Sequence, residues 1–507
     1  MPAPTLTAPF SWKDPAFQPL LERLQGNILK GHGRHHTMNF FFQVVSGKKD
    51  EARAALKLVA TAYVGSALKQ LNETEDFKEA RAKEETFISE PLVSILLTKV
   101  GYENLGITDT ALIPADTKFR AGLRGSNADL SDPVVADWDE GYRAEADGMV
   151  LIAAESPERV DEQLERILAI TEAALLVTQF QRGKAIFNAR GEGLEHFGYV
   201  DGRSQPLFLQ EDIAEERKNA GTSQWNPAFP PDRVLVADPA AFLKPNKPNQ
   251  PGEILVADEQ AFGSYFIFRK LEERVRAFKR MEQELADKLG FSGERRELAE
   301  ALCVGRFEDG TPVTLSDEPL DPTKGDVPND FNYDHDTLAG KCPFHAHIRK
   351  TNPRGSGTGD AAERQTIMAR RGITYEDIPR EVEPKDLPGV ESFAEFREKV
   401  ETLLPEGDLG LLFMAYNADI GTQFEVTQRF WANSTTFPPL PSGTDVVNPG
   451  RDPVIGQPFN EPPPQQWPTD WVTGKPPALR DFSFRSHVIM KGGDYFFAPS
   501  LPFLRGL

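Results

Sequence analysis

Gly148–Gln181 reads GMVLIAAESPERVDEQLERILAITEAALLVTQFQ, and its three parts follow one another cleanly. Gly148–Ala154 is a short, wholly apolar run of the length of a buried strand. Ser156 is a good N-cap, Pro157 fits the first helical turn, and Glu158 suits the positive end of the helix dipole. Val160, Leu164, Ile167 and Ile170 then recur at helical spacing and give the helix one apolar face. Leu175–Gln181, rich in Leu, Val, Thr and Phe, returns to strand.

The same alternation extends upstream. Met38–Val45 (MNFFFQVV) and Leu92–Thr98 (LVSILLT) read as strands, with one helix expected between them from about Lys49 to Leu71. It also recurs downstream. Ser264–Arg269 (SYFIFR) is a strand. Leu271, Val275, Phe278, Met281, Leu285 and Leu289 mark an amphipathic helix. Leu409–Tyr416 is a strand, and a helix should run from about Gly421 to Trp431. Strands and helices in this order predict an α+β chain built of two ferredoxin-like domains with antiparallel sheets. The expected boundaries are an N-terminal arm over 1–37, a first domain over 38–215 and a second over 216–507. Residues 215–260 and 436–478, rich in Pro and polar residues, are expected to be irregular connections.

Composition narrows the function. With 34 Phe and 39% hydrophobic residues the chain can bury a large core. Asp and Glu exceed Lys and Arg by 77 to 57, a formal charge of -20 that would repel nucleic acid. Two cysteines, Cys303 and Cys342, form no framework or CxxC pair, which suits a reducing compartment. No leader-like or membrane-length apolar segment is seen, so a cytoplasmic location is expected, with no membrane partner.

Four segments carry residues capable of chemistry. KCPFHAHIRKTNPR (341–354) places His345 and His347 beside apolar residues and ahead of Arg349 and Arg354. Such an imidazole can ligate haem iron and such arginines can pair with propionates, although a surface turn holds the same residues. HFGYVDGRSQP (196–206) sets Asp201 between Gly198 and Gly202, where backbone can approach a flat ligand; an ordinary Asp-Gly turn looks the same. RQTIMARRGITYED (364–377) contains Arg370 and Arg371, either of which would need a buried anion if it faced inward. GLLFMAYNADIGTQFEVTQRFW (410–431) puts Leu411 and Phe413 on one strand face, followed by Asp419.

In this order, GxxDG (Gly198–Gly202) and CPFxAHIRKxNPR (Cys342–Arg354) resemble the dye-decolorizing peroxidases, especially their larger bacterial and fungal subfamilies. The likeness runs from QGNILKG (25–31) to FFAPS (496–500). It implies one haem b per chain, held mainly by the C-terminal half on His347. Asp201 and Arg370 are implied as the distal acid–base and charge-stabilising pair. Arg371 is the neighbour most easily confused with Arg370. Asp419 is implied as the acceptor of the proximal His hydrogen bond, Leu411 and Phe413 as distal pocket wall, and Arg349, Arg354 and Arg370 as haem contacts. His345 stands where relatives carry a small residue. If HxH lay on a strand the two rings would face apart, leaving His345 outside the iron's reach.

The resemblance further implies that hydrogen peroxide is reduced to water through a high-valent iron-oxo intermediate, at the expense of dyes, phenolics or other small one-electron donors. A carboxyl base with an ordinary pKa near 3.9 favours acid pH. Trp431 and Tyr416 are candidates to relay electrons from bulky donors. Two other classes fit parts of the pattern: a haem carrier or sensor without turnover, and a non-haem metalloprotein using His345, His347 and Asp334 or Asp336. Oligomeric state has no signature in the sequence.

Overall fold

The computed structural model describes residues 5–219, 224–241, 261–320, 327–380, 382 and 386–507. Eight strands follow one another across a single sheet. Their order is Ile373–Glu376, Leu409–Asn417, Phe262–Glu273, Val488–Ala498, Leu92–Leu97, Gly148–Ala154, His36–Val44 and Leu175–Lys184. The pairings along this path are antiparallel, so the expected α+β class with antiparallel strands is what forms. The two halves of the chain meet within the sheet. Val488–Ala498 pairs along its length with Phe262–Glu273 and, through Phe497 and Leu97, with the N-terminal half. At the other ends Thr374 Oγ1 donates to the Lys184 carbonyl, so the first and last strands also touch.

Local chemistry explains most elements. Ser156 caps Pro157–Thr171 by accepting from the Arg159 amide, and Val160 and Ile167 are fully buried on the face predicted for them. The expected 49–71 helix is instead two, Lys49–Ala62 and Ala67–Ala82. The break has a cause: the Gly65 carbonyl accepts from the Gly26 amide, and Ser66 starts the second helix by capping Lys69. Leu271 belongs to its strand and not to the following helix, which runs over Val275–Leu289. The predicted helix after Asp419 is present over Gly421–Ala432 but is wide, with Glu425 and Asn433 donating five residues back to Ile420 and Gln428. Within the expected irregular 436–478 connection, Gln465–Pro468 forms a short strand with Leu479–Phe482. Parts of the 215–260 connection, at 220–223 and 242–260, lie outside the described residues.

Strand alternation decides which side chains face the same way. Leu411 pairs with Leu271 and Phe413 with Arg269, so these four share one face with Glu273. Arg370 pairs with Ala415 and joins that face, whereas Arg371, one residue on, is turned to the other side. There Arg371 donates through Nε to the Asn27 carbonyl (2.7 Å) and through Nη2 to the Ile28 carbonyl (2.8 Å). The QGNILKG segment is thereby tied to the sheet. Buried Arg269 pairs with Asp132, binding the halves again. Among the described residues no helix is long and apolar enough to cross a membrane.

Arg371→Ala removes the donors for two carbonyls that have few alternatives. It should destabilise the protein by about 1–3 kcal/mol in urea unfolding and expose residues near Asn27 to proteolysis. An unchanged midpoint would show that the segment is held by other contacts.

Candidate active site

His347 opens a short helix, His347–Thr351, and not a strand as the HxH pattern suggested. Its Nδ1 lies 2.9 Å from Asp452 Oδ2. A carboxylate can only accept, so Nδ1 carries the proton and Nε2 is left with a lone pair facing away from that bond. Asp452 is fully shielded from solvent. Its other oxygen accepts from the amides of Val454 (2.7 Å) and Ile455 (3.1 Å), and its own amide donates to Ala432 at the end of the wide helix. Lys350, one turn after His347, donates to the carbonyls of Trp431, Ser434 and Phe437. Burial brings its ammonium down to about 7. The His347 helix is thus clamped at both ends to one neighbour.

The imidazole borders an enclosed, mainly apolar cavity that is also lined by Asp201, Arg370, Leu411, Phe413 and Arg354. Six residues predicted from sequence therefore converge, brought from well-separated segments. Asp201 Oδ1 accepts from Arg370 Nη1 at 3.0 Å, and Arg370 Nη2 donates to the Arg203 carbonyl at 2.8 Å. Gln205 accepts from the Arg370 amide, so the DGRSQP segment and the Arg370 strand hold each other. Gly198, with φ of 105°, occupies a backbone region costly for other residues, and an added Cβ would come 3.0 Å from Glu308.

Two expectations are corrected. Asp419 is not beside His347; it accepts from the Thr422 amide at the start of the wide helix, and Asp452 takes the expected role. Arg349 does not reach the cavity. It is buried with Asp336 and the Cys342 carbonyl, its guanidinium against Tyr333 and Phe344. His345, the unusual residue of the motif, is buried against Trp467 and bonded to the Pro449 carbonyl, and burial lowers it to about 3. It is a neutral core residue. Asp336 is committed to Arg349 and Asp334 is exposed, and among the described residues no three His, Cys, Asp or Glu side chains converge on a metal position. Tyr416 is fully buried and Trp431 stacks on Phe437, so both are core aromatics.

Arg354 stands where the resemblance implied a haem contact, but its partner Arg306 was not legible in the sequence. Arg306 and Arg354, both buried, face Ser204 and Asn329: Arg354 Nη2 lies 2.7 Å from Ser204 Oγ and Arg306 Nη2 lies 2.9 Å from Asn329 Oδ1. All their hydrogen-bond partners are neutral oxygens, and neither forms an ion pair with a described residue. Burial lowers both, Arg306 to about 10 with repulsion from Arg203 and Arg370 adding to it, and Arg354 to about 9 with repulsion from Arg306 adding to it. Two buried cations whose hydrogen-bond partners are all neutral are costly, and anions that join them would lower that cost.

Comparisons with known proteins give the family. The model of the DyP dimeric alpha+beta barrel domain matches residues 23–185. The multifunctional dye peroxidase DyP2 of an Amycolatopsis species is 42% identical, the alignment covering 99% of each chain. The chain belongs to the dye-decolorizing peroxidase family. The solved structure of DyP2 superposes with a TM-score of 0.86 at 41% identity, covering 99% of this chain and 100% of that one. The DyP-type peroxidase of Anabaena sp. gives 0.80 at 35% identity, covering 98% and 96%.

Dye-decolorizing peroxidases are haem enzymes, and the residues here fit that group. His347 offers one free nitrogen at an apolar cavity, and Arg306 and Arg354 offer two positive charges for two propionates. Arg354→Gln should weaken binding of haemin roughly tenfold and leave binding of haemin dimethyl ester unchanged, read by Soret titration. Equal losses for both ligands would contradict the pairing of Arg354 with a carboxylate.

Proposed function

We propose that this dye-decolorizing peroxidase holds haem b through His347 and reduces hydrogen peroxide at the Asp201–Arg370 pair, drawing electrons from dyes, phenolics and other one-electron donors. The observation that carries this reading is the joining of Asp201 to Arg370 in the cavity that His347 also borders. Bound haem supplies an iron with one open position for peroxide and accepts the electrons that donors deliver.

The chain's own residues do the remaining work. His347 Nε2 would hold the haem iron. Asp452 fixes the tautomer by accepting the Nδ1 proton and gives the ring partial imidazolate character, which favours electron release toward the metal. Asp201 Oδ1 is engaged by Arg370, which leaves Oδ2 free to take a proton from one oxygen of peroxide and return it to the other. Arg370 holds that carboxylate in place, and its guanidinium offsets the negative charge that grows on the departing oxygen. Leu411 and Phe413, with Phe424 against the latter at 5.8 Å, keep bulk water from competing with peroxide. Arg306 and Arg354 anchor the propionates.

A haem carrier would need the axial ligand and the anchoring arginines but no acid–base pair. The location is proposed as cytoplasmic on the strength of Cys303 and Cys342, both buried and unpaired.

Asp201→Asn keeps the shape of the side chain and removes its basicity. In stopped-flow spectra the reaction of the haem-loaded protein with peroxide should slow by about a hundredfold or more, and in Arg370→Leu by a similar factor, with haemin binding retained in both. A near-wild-type rate in Asp201→Asn would place the base elsewhere.

A further inference from the structure

The peroxidase reaction has a proton balance as well as an electron balance: H2O2, two electrons and two protons give two molecules of water. Asp201 takes one proton and gives it back, so it supplies none in net terms. Donors too large for the cavity deliver electrons without carrying protons inside. The two protons must therefore come from solvent or from the wall of the cavity.

That wall contains a pair of carboxyl side chains that the reaction as described so far does not use. Glu195 and Glu273 both line the cavity. Glu195 precedes the GxxDG turn, and its two oxygens accept from the amides of Phe197 and Tyr199, each at 2.8 Å. Glu273 ends the Phe262–Glu273 strand, is 4% exposed, and accepts from the His196 amide at 3.0 Å. Glu273 thus accepts from the residue directly after Glu195, which brings the two carboxyls to one wall of the cavity. Two buried carboxyls on one wall repel each other when both are ionised, an arrangement that favours keeping a proton on one of them. Neither forms an ion pair with a described residue.

Position favours transfer in both directions. Glu195 and Asp201 belong to one hairpin, in which the Glu195 amide donates to Tyr199 and the Asp201 amide donates to Gly193. Behind the turn, His196, Phe197 and Gly198 also border a second, open cavity lined by Lys279, Glu297, Glu300 and Glu308. His196 therefore borders the second cavity while its neighbour Glu195 lines the first. The charged groups facing the pair are Asp201, which disfavours ionisation, and Lys279, which favours it for Glu195 and is itself paired with Glu282, Glu300 and Glu308. His196 is turned away toward the Tyr375 carbonyl, and Arg274 toward Glu272. Burial is the largest cause of the shifts: Glu195 is raised to about 7 and Glu273 well above the usual carboxylate range.

We propose that Glu195 and Glu273 share a proton and hand it to Asp201 during turnover, solvent in the neighbouring acidic cavity restoring it. In each transfer one O–H bond of the pair breaks and one forms on Asp201, and the pair gains one negative charge until it is refilled. The proposal rests on the peroxidase reading of the cavity, and the test separates the two.

Infrared difference spectra of the haem-loaded protein in H2O and D2O report the pair directly. A folded-state value above the ordinary one means that the proton is held below it and lost as pH rises through it. The wild type should therefore show a protonated-carboxyl C=O band, shifted by D2O, that weakens as pH rises through about 7. Glu273→Gln and Glu195→Gln should each remove it, and Asp201→Asn should keep it. After peroxide is added, return of the visible spectrum to its resting form should slow roughly tenfold in Glu273→Gln, with a larger solvent deuterium effect than in the wild type. A wild type without the carboxyl band, or a band untouched by both substitutions, overturns the shared proton. A band lost on substitution with no change in the rate of return overturns the proton supply. A wild type whose visible spectrum ignores peroxide overturns the peroxidase reading, while the infrared band still answers for the pair.

Discussion

A single partly buried hydrogen bond organises the cavity: His347 Nδ1 to Asp452 Oδ2. An isolated carboxylate cut off from water would be prohibitively unstable, and this one is tolerated because the imidazole and the amides of Val454 and Ile455 converge on it. The same contacts have three consequences. They select the tautomer that leaves Nε2 free. They hold the ring at the cavity edge. They also lock the loop bearing Asp452 to the end of the Gly421–Ala432 helix, through the Asp452 amide and the Ala432 carbonyl. Lys350 secures that helix end from the other side with three bonds to carbonyls. The distal partners could be placed perfectly and still be useless if this ring were free to turn.

The distal side depends on a different constraint, the twofold alternation of a strand. Arg370 and Arg371 are adjacent in sequence and have unrelated jobs. One faces Asp201 and the cavity, and the other crosses to the carbonyls of Asn27 and Ile28. Cross-strand register then brings Arg269, Leu271, Leu411 and Phe413 to the cavity face, with Glu273 at its edge. Because Val488–Ala498 pairs both with Phe262–Glu273 and with the N-terminal half, that face stays rigidly connected across the molecule.

Much of this was legible in the sequence, for identifiable reasons. Gly148–Ala154 and Pro157–Thr171 appear where strand composition and a Ser-Pro-Glu start place them, because those signals are local. His347, Asp201, Arg370, Leu411 and Phe413 share a cavity as the motif resemblance implied. Val488–Ala498 was not recognised, because Lys491, two glycines and Asp494 interrupt its apolar pattern and its pairing is entirely long-range. Asp452 was missed for the same kind of reason. It sits in a Pro-rich stretch 105 positions from His347, where nothing local marks one Asp over another. Asp419 sits next to a predicted helix and looked the better candidate, yet the amide of Thr422 already engages it. Arg349 looked like a propionate partner by spacing alone; burial with Asp336 claims it, and Arg306, far from the motif, stands with Arg354 instead.

The central claim is that His347, polarised by Asp452, is the axial ligand. Resonance Raman spectroscopy of the ferrous haem-loaded protein measures the iron–histidine stretch directly. The account predicts a band that moves to lower frequency in Asp452→Asn, disappears in His347→Ala and is unaffected in His345→Ala. A frequency indifferent to Asp452, or a band that survives His347→Ala and vanishes in His345→Ala, would contradict it.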